Sequence, residues 1–221
     1  MTPDARRERL ARARLYLVVT EAACLGPWEA AVERALRSGV VDVVQLREKG
    51  LDDAAFLARA ARLRGWTSPA GVLLVLNDRA HLVAATDADG VHVGEHDLPV
   101  AEARRVVGPD RLVGVSTHDA REVGAIGPSG ADYGGLGPCY ATTTKRLERA
   151  PGGPALVRAC TGATDRPLFP IGGITPENVL ELVAAGATRA AVGAGILGRA
   201  DPEAAARAIG RALGTGAARD R

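Results

Sequence analysis

The chain has 221 residues, 47% hydrophobic and 24% charged, which excludes wholesale disorder and supplies enough apolar material for a sizeable core. The 28 basic and 26 acidic residues leave a net charge of +2, too small to argue for nucleic acid or a membrane surface as partner. Aromatic residues contribute only 3%, so stacking platforms for single-stranded nucleic acid are not expected.

Residues 1–14 are polar and arginine-rich, with Asp4 and Glu8 among the basic side chains. They lack the apolar stretch of a secretory signal and are expected to form a solvated helical lead-in. No stretch approaches the roughly 20 apolar residues that span a bilayer. Cys24, Cys139 and Cys160 are widely spaced and include no CxxC pair, which predicts reduced thiols and a cytoplasmic protein.

Beyond residue 14 the apolar pattern alternates between two types. Short Val/Leu-rich runs at 15–20, 41–46, 72–76, 90–93, 112–116, 131–134, 168–170 and 190–192 predict buried parallel strands, several being apolar on both faces. Ala/Leu/Arg/Glu-rich segments at 27–38, 52–64, 99–107, 119–126, 176–185 and 201–213 predict helices. Asp52, Asp119 and Asp201 stand at N-cap positions, and Pro176 at a first helical position. Ser38-Gly39 and Ala185-Gly186 read as helix ends followed by glycine.

This alternation predicts an α/β fold, a single (β/α)8 TIM barrel over 15–214 with a tail at 215–221. The competing fold is a doubly wound open sheet. Against it, no GxGxxG follows the first strand, and glycine-rich turns (Gly172-Gly173 and Gly193-Ala194-Gly195) follow the last two, where barrels place a phosphate site.

In a barrel the site lies at the C-terminal ends of the strands. Strand two ends in Gln45-Leu46-Arg47-Glu48-Lys49, and alternation points Gln45, Arg47 and Lys49 the same way. An amide and two cations suit a polyphosphate, though a salt-bridged rim has the same composition. Strand three ends in Asn77-Asp78-Arg79, and Asp97 follows strand four. Two carboxylates at neighbouring strand ends could share Mg²⁺, while either alone could cap a helix. His92 and His96 are not read as a zinc pair, because i,i+4 ligation needs a helix and Gly94 makes this a strand-to-loop turn. His118, after strand five near Ser116, is a candidate proton carrier. After strand six, Thr142-Thr143-Thr144-Lys145 resembles an anion-binding loop without being a P-loop. Glycines after strands seven and eight would let backbone N–H groups approach a phosphate. The mouth thus offers a cationic, metal-assisted anion site and a backbone anion site.

Taken together, these pieces resemble the thiamine-phosphate synthase family. They are Tyr16-Leu17-Val18-Val19-Thr20, Val44 to Lys49, Asn77-Asp78-Arg79, Asp89-Gly90-Val91-His92-Val93-Gly94, Gly114-Val115-Ser116-Thr117-His118, Ala131-Asp132-Tyr133, Gly137-Pro138 with Thr142 to Lys145, and Ile171-Gly172-Gly173-Ile174. The resemblance implies a transferase that joins hydroxymethylpyrimidine diphosphate to a thiazole phosphate and releases diphosphate. It implies that Gln45, Arg47, Lys49, Asn77 and Lys145 hold the pyrimidine diphosphate and that Ser116 contacts the pyrimidine. Asp78 and Asp97 would hold Mg²⁺. Thr142, Thr143, Thr144, Gly173, Val192 and Gly193 would hold the thiazole phosphate. Arg47, Lys49, Lys145 and Ser116 are then the candidate catalytic residues, with small-molecule substrates expected and neither nucleic acid nor membrane.

The sequence departs from the family pattern at Ala141 for Pro, Cys139 for a branched aliphatic, His96 for a small or acidic residue, and Gly193 for Ser. The last removes a hydroxyl from the phosphate turn. Two other readings are a thiazole tautomerase on the same barrel, using a histidine near His118 without Mg²⁺, and a non-catalytic phosphate-binding barrel.

Overall fold

The computed structural model describes residues 1–142 and 149–215. Helix α1 (Pro3–Arg12) leads into strand β1 (Leu15–Val19), followed by α2 (Trp28–Arg37), β2 (Val43–Leu46), α3 (Asp53–Thr67) and β3 (Leu73–Asn77). A short 3₁₀ turn, Ala80–Leu82, connects to β4 (Gly90–Val93). Then come α4 (Val100–Val107), β5 (Leu112–Thr117), α5 (Ala120–Gly124), β6 (Tyr133–Leu136) and α6 (Gly153–Cys160). The last elements are β7 (Leu168–Pro170), α7 (Val179–Ala184), β8 (Ala190–Val192), α8 (Ala194–Leu197) and α9 (Pro202–Ala212).

The eight strands form one sheet in the order β7-β6-β5-β4-β3-β2-β1-β8. Every neighbouring pair in that order is parallel. A parallel bridge between Ile171 and Ala191 brings the sheet's two ends together, which makes the sheet the nearly closed barrel of a (β/α)8 fold.

Strand alternation builds two cores. Leu15, Leu17, Val19, Val44, Leu46, Leu74 and Leu76 face outward and pack with helix residues such as Val32, Phe56 and Leu63. Tyr16, Val18, Val43, Leu73, Val75, Leu112, Tyr133, Phe169 and Ala191 fill the interior. Each Val, Leu or Phe among them contributes about 1.5–3 kcal/mol when fully buried. Of the chain's few aromatic residues, Tyr16, Tyr133 and Phe169 meet inside the barrel. Tyr16 and Tyr133 each lie edge-on to Phe169, at 5.3 and 5.9 Å between centroids. Gly114 makes room for this packing, since a Cβ there would lie 2.1 Å from the Tyr133 ring.

Local signals explain most boundaries. Asp52, Asp119 and Asp201 each accept an N–H in the first turn of the helix that follows, the expected N-cap geometry. Gly39 and Gly186 adopt positive φ after α2 and α7, as helix ends favour.

Three expectations are corrected. α7 starts at Val179 rather than near 176, because Asn178 Oδ1 accepts the Thr175 N–H (2.8 Å) and its Nδ2 donates to Gly173 O (2.9 Å). α6 had no counterpart in the sequence reading, since it opens on the turn-like run Pro151-Gly152-Gly153-Pro154. The lead-in is not simply solvated, because α1 covers the N-terminal end of the barrel. Leu10 and Ala13 join the interior cluster. Arg6 Nε meets Asp89 Oδ1 at 2.9 Å, with both side chains at most 5% exposed. Asp89 also accepts from Arg64 Nη2 and the Leu74 N–H.

Candidate active site

A cavity of about 530 Å³ opens at the C-terminal ends of the strands. Among the described residues, Gln45, Arg47, Lys49, Asn77, Asp78, Asp97, Ser116, Thr142, Gly173, Val192 and Gly193 all line it. Thr143, Thr144 and Lys145 lie outside the described residues.

The register places the first group. Gln45 and Asn77 point inward, both more than nine-tenths buried, while Leu46 and Leu76 face the helices. Arg47 continues β2 by donating its N–H to Val19 O at 2.8 Å. Glu48 is turned away from the cavity. It accepts from Arg59 Nη1 and the Glu21 N–H, and so helps fix the strand end that carries Arg47 and Lys49.

Neither aspartate caps a helix. The 3₁₀ turn after Asp78 has no side-chain cap, and α4 is entered through Pro99. Asp78 sits at φ +64, a left-handed conformation that Asp tolerates better than most side chains. Its N–H donates to His92 O at 2.9 Å. Lys49 Nζ lies 3.1 Å from Asp78 Oδ2, and Asp97 Oδ2 accepts the Gly94 N–H at 2.9 Å. Asp78 and Asp97 both line the cavity. Burial first, then the neighbouring Asp97 carboxyl, pushes Asp78 up to about 6 against the pull of Lys49. Burial opposes ionisation of Asp97 too, but Asp78, the Gly94 N–H and the nearby Lys49 hold it below the usual carboxylate range. Two carboxyl groups with hard oxygen donors fit a small divalent cation such as Mg²⁺. Among the described residues, no group of three or more His, Cys, Asp or Glu could hold a metal.

Deeper in the cavity a polar run crosses the barrel. Gln45 Nε2 donates to the Tyr16 hydroxyl at 2.8 Å, and Tyr16 and Tyr133 hydroxyls lie 2.9 Å apart. His92 Nδ1 is 3.3 Å from the Tyr133 hydroxyl, and its Nε2 is 3.1 Å from Ser116 Oγ. His118 Nδ1 donates to Gly137 O at 2.8 Å, which directs Nε2 toward Glu95 at 3.9 Å.

The opposite wall is backbone. Gly173 has φ +62, and a Cβ there would lie 2.3 Å from Ala141 O, so the turn after β7 packs against the loop after β6 as only glycine permits. Cys139 and Tyr140 donate their N–H groups to Ile171 O and Gly172 O, both at 2.8 Å. Gly193 leads from β8 into α8. Arg199 lines the cavity on this side and meets Glu177 at 2.5 Å.

Sequence reasoning missed Tyr16, Tyr133, Arg149 and Arg199 as cavity residues. Period-two alternation would have found His92, since Val91 and Val93 face outward. Arg149 precedes α6 and Arg199 follows α8, and neither carries such a signal.

Residues 15–196 match the family model described as thiamine monophosphate synthase. A thiamine-phosphate synthase of Streptomyces avermitilis is 41% identical over 96% of this chain and 98% of its own length. One of Gloeobacter violaceus is 47% identical over 89% of this chain and 56% of its own length. The chain likewise spans only 40% and 52% of two other curated relatives. Among solved structures, a thiamine phosphate pyrophosphorylase from Pyrococcus furiosus superposes with a TM-score of 0.82 at 26% identity, covering 94% of this chain and 98% of that one. On the length of the family match and these identities, the chain belongs to the thiamine monophosphate synthase family.

Proposed function

We propose that the chain joins hydroxymethylpyrimidine diphosphate to a thiazole phosphate, giving thiamine phosphate and diphosphate. The observation that carries this reading is that Asp78 and Asp97 line one cavity, with Lys49 on Asp78, together with inward-facing Gln45 and Asn77. A binder or isomerase of a monophosphate has little use for that pair.

Asp78 and Asp97 would hold Mg²⁺, which when bound neutralises charge on a leaving diphosphate. Lys49 and Arg47 supply positive charge at the same wall, where the C–O bond to diphosphate breaks and negative charge accumulates. Lys145, carried over from the resemblance, would add to them. Gln45 and Ser116 orient the pyrimidine, so that its methylene carbon, left electron-poor as diphosphate departs, faces the thiazole nitrogen. That nitrogen's lone pair forms the new C–N bond. The thiazole phosphate would lie on Thr142, Thr143, Thr144, Gly173, Val192 and Gly193. No nucleophilic side chain is needed. Burial pushes Cys139 up to about 12, which suits a structural thiol rather than a reactive one.

No helix among the described residues is long and apolar enough to cross a membrane. Three free thiols suit a reducing compartment, and we place the reaction in the cytoplasm.

The test is to supply both phosphorylated substrates with Mg²⁺ and measure thiamine phosphate. Asp78→Asn should lower kcat at least about 100-fold while the melting temperature holds, because one metal ligand becomes neutral. Full activity in that variant removes Asp78 from the metal site, and turnover of the thiazole alone would point to the tautomerase.

A further inference from the structure

The segments after β7 and β8 form one wall of the cavity, lined by Gly172 to Thr175 and by Gly193 to Gly195. Those residues offer backbone and a single hydroxyl. Among the described residues, Arg199 is the only charged side chain that these segments add to the lining. The cations Arg47, Lys49 and Arg149 come from the end of β2 and the loop after β6.

Arg199 Nη2 meets Glu177 Oε2 at 2.5 Å, and Glu177 stands outside the cavity lining. The contact occupies one terminal nitrogen of a planar group that carries five N–H donors. The two side chains are 38% and 65% exposed, and an ion pair so accessible to water is weak. The Thr175 hydroxyl above all, with Arg199 adding to it, holds Glu177 below the ordinary carboxylate range. The backbone around the pair is fixed. A Cβ at Gly195 would lie 1.9 Å from Ile174 O, so the two turns are in direct contact. A Cβ at Gly198 would lie 2.8 Å from Ala194 O and 3.2 Å from Ala23 O, which seats the end of α8 against the segment after β1. Arg199 can therefore change partner by side-chain rotation alone, without movement of either turn.

A phosphate brought against this wall offers the guanidinium more than Glu177 does. It carries up to two negative charges and accepts two parallel N–H bonds, where the carboxylate contact uses one nitrogen. We propose that Arg199 is a binding residue for the phosphate of the thiazole substrate, and that Glu177 holds it aside and competes with that phosphate. Glu177 thereby limits how tightly the second substrate binds. The proposal rests on the thiazole phosphate reading given above.

Steady-state kinetics with Mg²⁺, one substrate saturating at a time, test it. Arg199→Ala should raise KM for the thiazole phosphate at least about 10-fold, the loss of a charge-assisted hydrogen bond, while KM for the pyrimidine diphosphate moves less than about twofold. Glu177→Gln should lower KM for the thiazole phosphate about 3-fold, since an amide holds a guanidinium without charge. Added to Arg199→Ala, Glu177→Gln should change nothing further, because the competitor then has nothing to hold. The opposite signs discriminate: a pair that merely tied two loops together would raise KM whichever partner was lost. Arg199→Gln serves if the alanine variant does not fold. A native KM in the folded Arg199 variant, an equal rise in KM for both substrates, or a Glu177→Gln KM at or above the native value overturns the proposal and leaves the function reading standing. No thiamine phosphate from the native chain overturns both.

Discussion

Gly193 is the residue at which this chain departs most consequentially from its family's pattern. A Cβ there would lie 3.2 Å from Val18 O, a tight contact needing a shift of only a few tenths of an ångström, and φ is negative. Gly193→Ser should therefore fold, and should lower KM for the thiazole phosphate by about 3- to 10-fold, the net worth of one ordinary hydrogen bond. Steady-state kinetics with saturating pyrimidine diphosphate would show it, and an unchanged KM would mean that the phosphate is held elsewhere. Much at this scale was legible. Alternation alone aligned Gln45, Arg47 and Lys49, and all three line the cavity. The Tyr16–Tyr133–His92 run was not legible. Its partners are 117 and 41 residues apart in the chain, and only closure of the barrel brings them together.

Among the elements, α1 departs furthest from its sequence reading. Its arginines look like solvent-facing charge, yet Arg6 is buried against Asp89, an acid that stands before β4 in sequence and beneath it in space. Burial of a charged side chain follows from its partner, and the partner is distant. Asp89→Ala should destabilise the fold by about 3–5 kcal/mol, since it leaves Arg6 buried without its anion. A shift in urea midpoint at constant m-value would register this, and a loss below about 1 kcal/mol would mean that Arg6 reaches water instead. The strands were read with near-correct bounds because buried parallel strands carry their own apolar signal. α6 and the start of α7 were missed because Gly153, Pro154 and Asn178 are turn residues by local chemistry.

The whole molecule carries several acids whose protons are held by burial. Cys24 is pushed up to about 11 and Cys139 to about 12, and Tyr16 and Tyr133 are raised as well, in each case chiefly by burial. Above pH 9, the ordinary thiol value, the unfolded chain gives up protons that the native state keeps. The stability these groups contribute is therefore full below pH 9 and falls as pH rises from there toward the native values. Urea midpoints at pH 8, 9 and 10 should decline in that order, and a flat series would mean that these groups titrate in place. The low aromatic fraction also gains a meaning at this scale, because three of those few rings stand together on the barrel axis. The barrel they fill is unevenly joined. Leu15, Tyr16 and Leu17 each pair with a residue of β8, whereas among the described residues β7 meets β8 through the single bridge of Ile171 and Ala191. Mechanically this is a split ring rather than a hoop. Among the described residues, that slit is where the fewest strand pairings hold the wall together, and the two glycine turns stand at its upper lip.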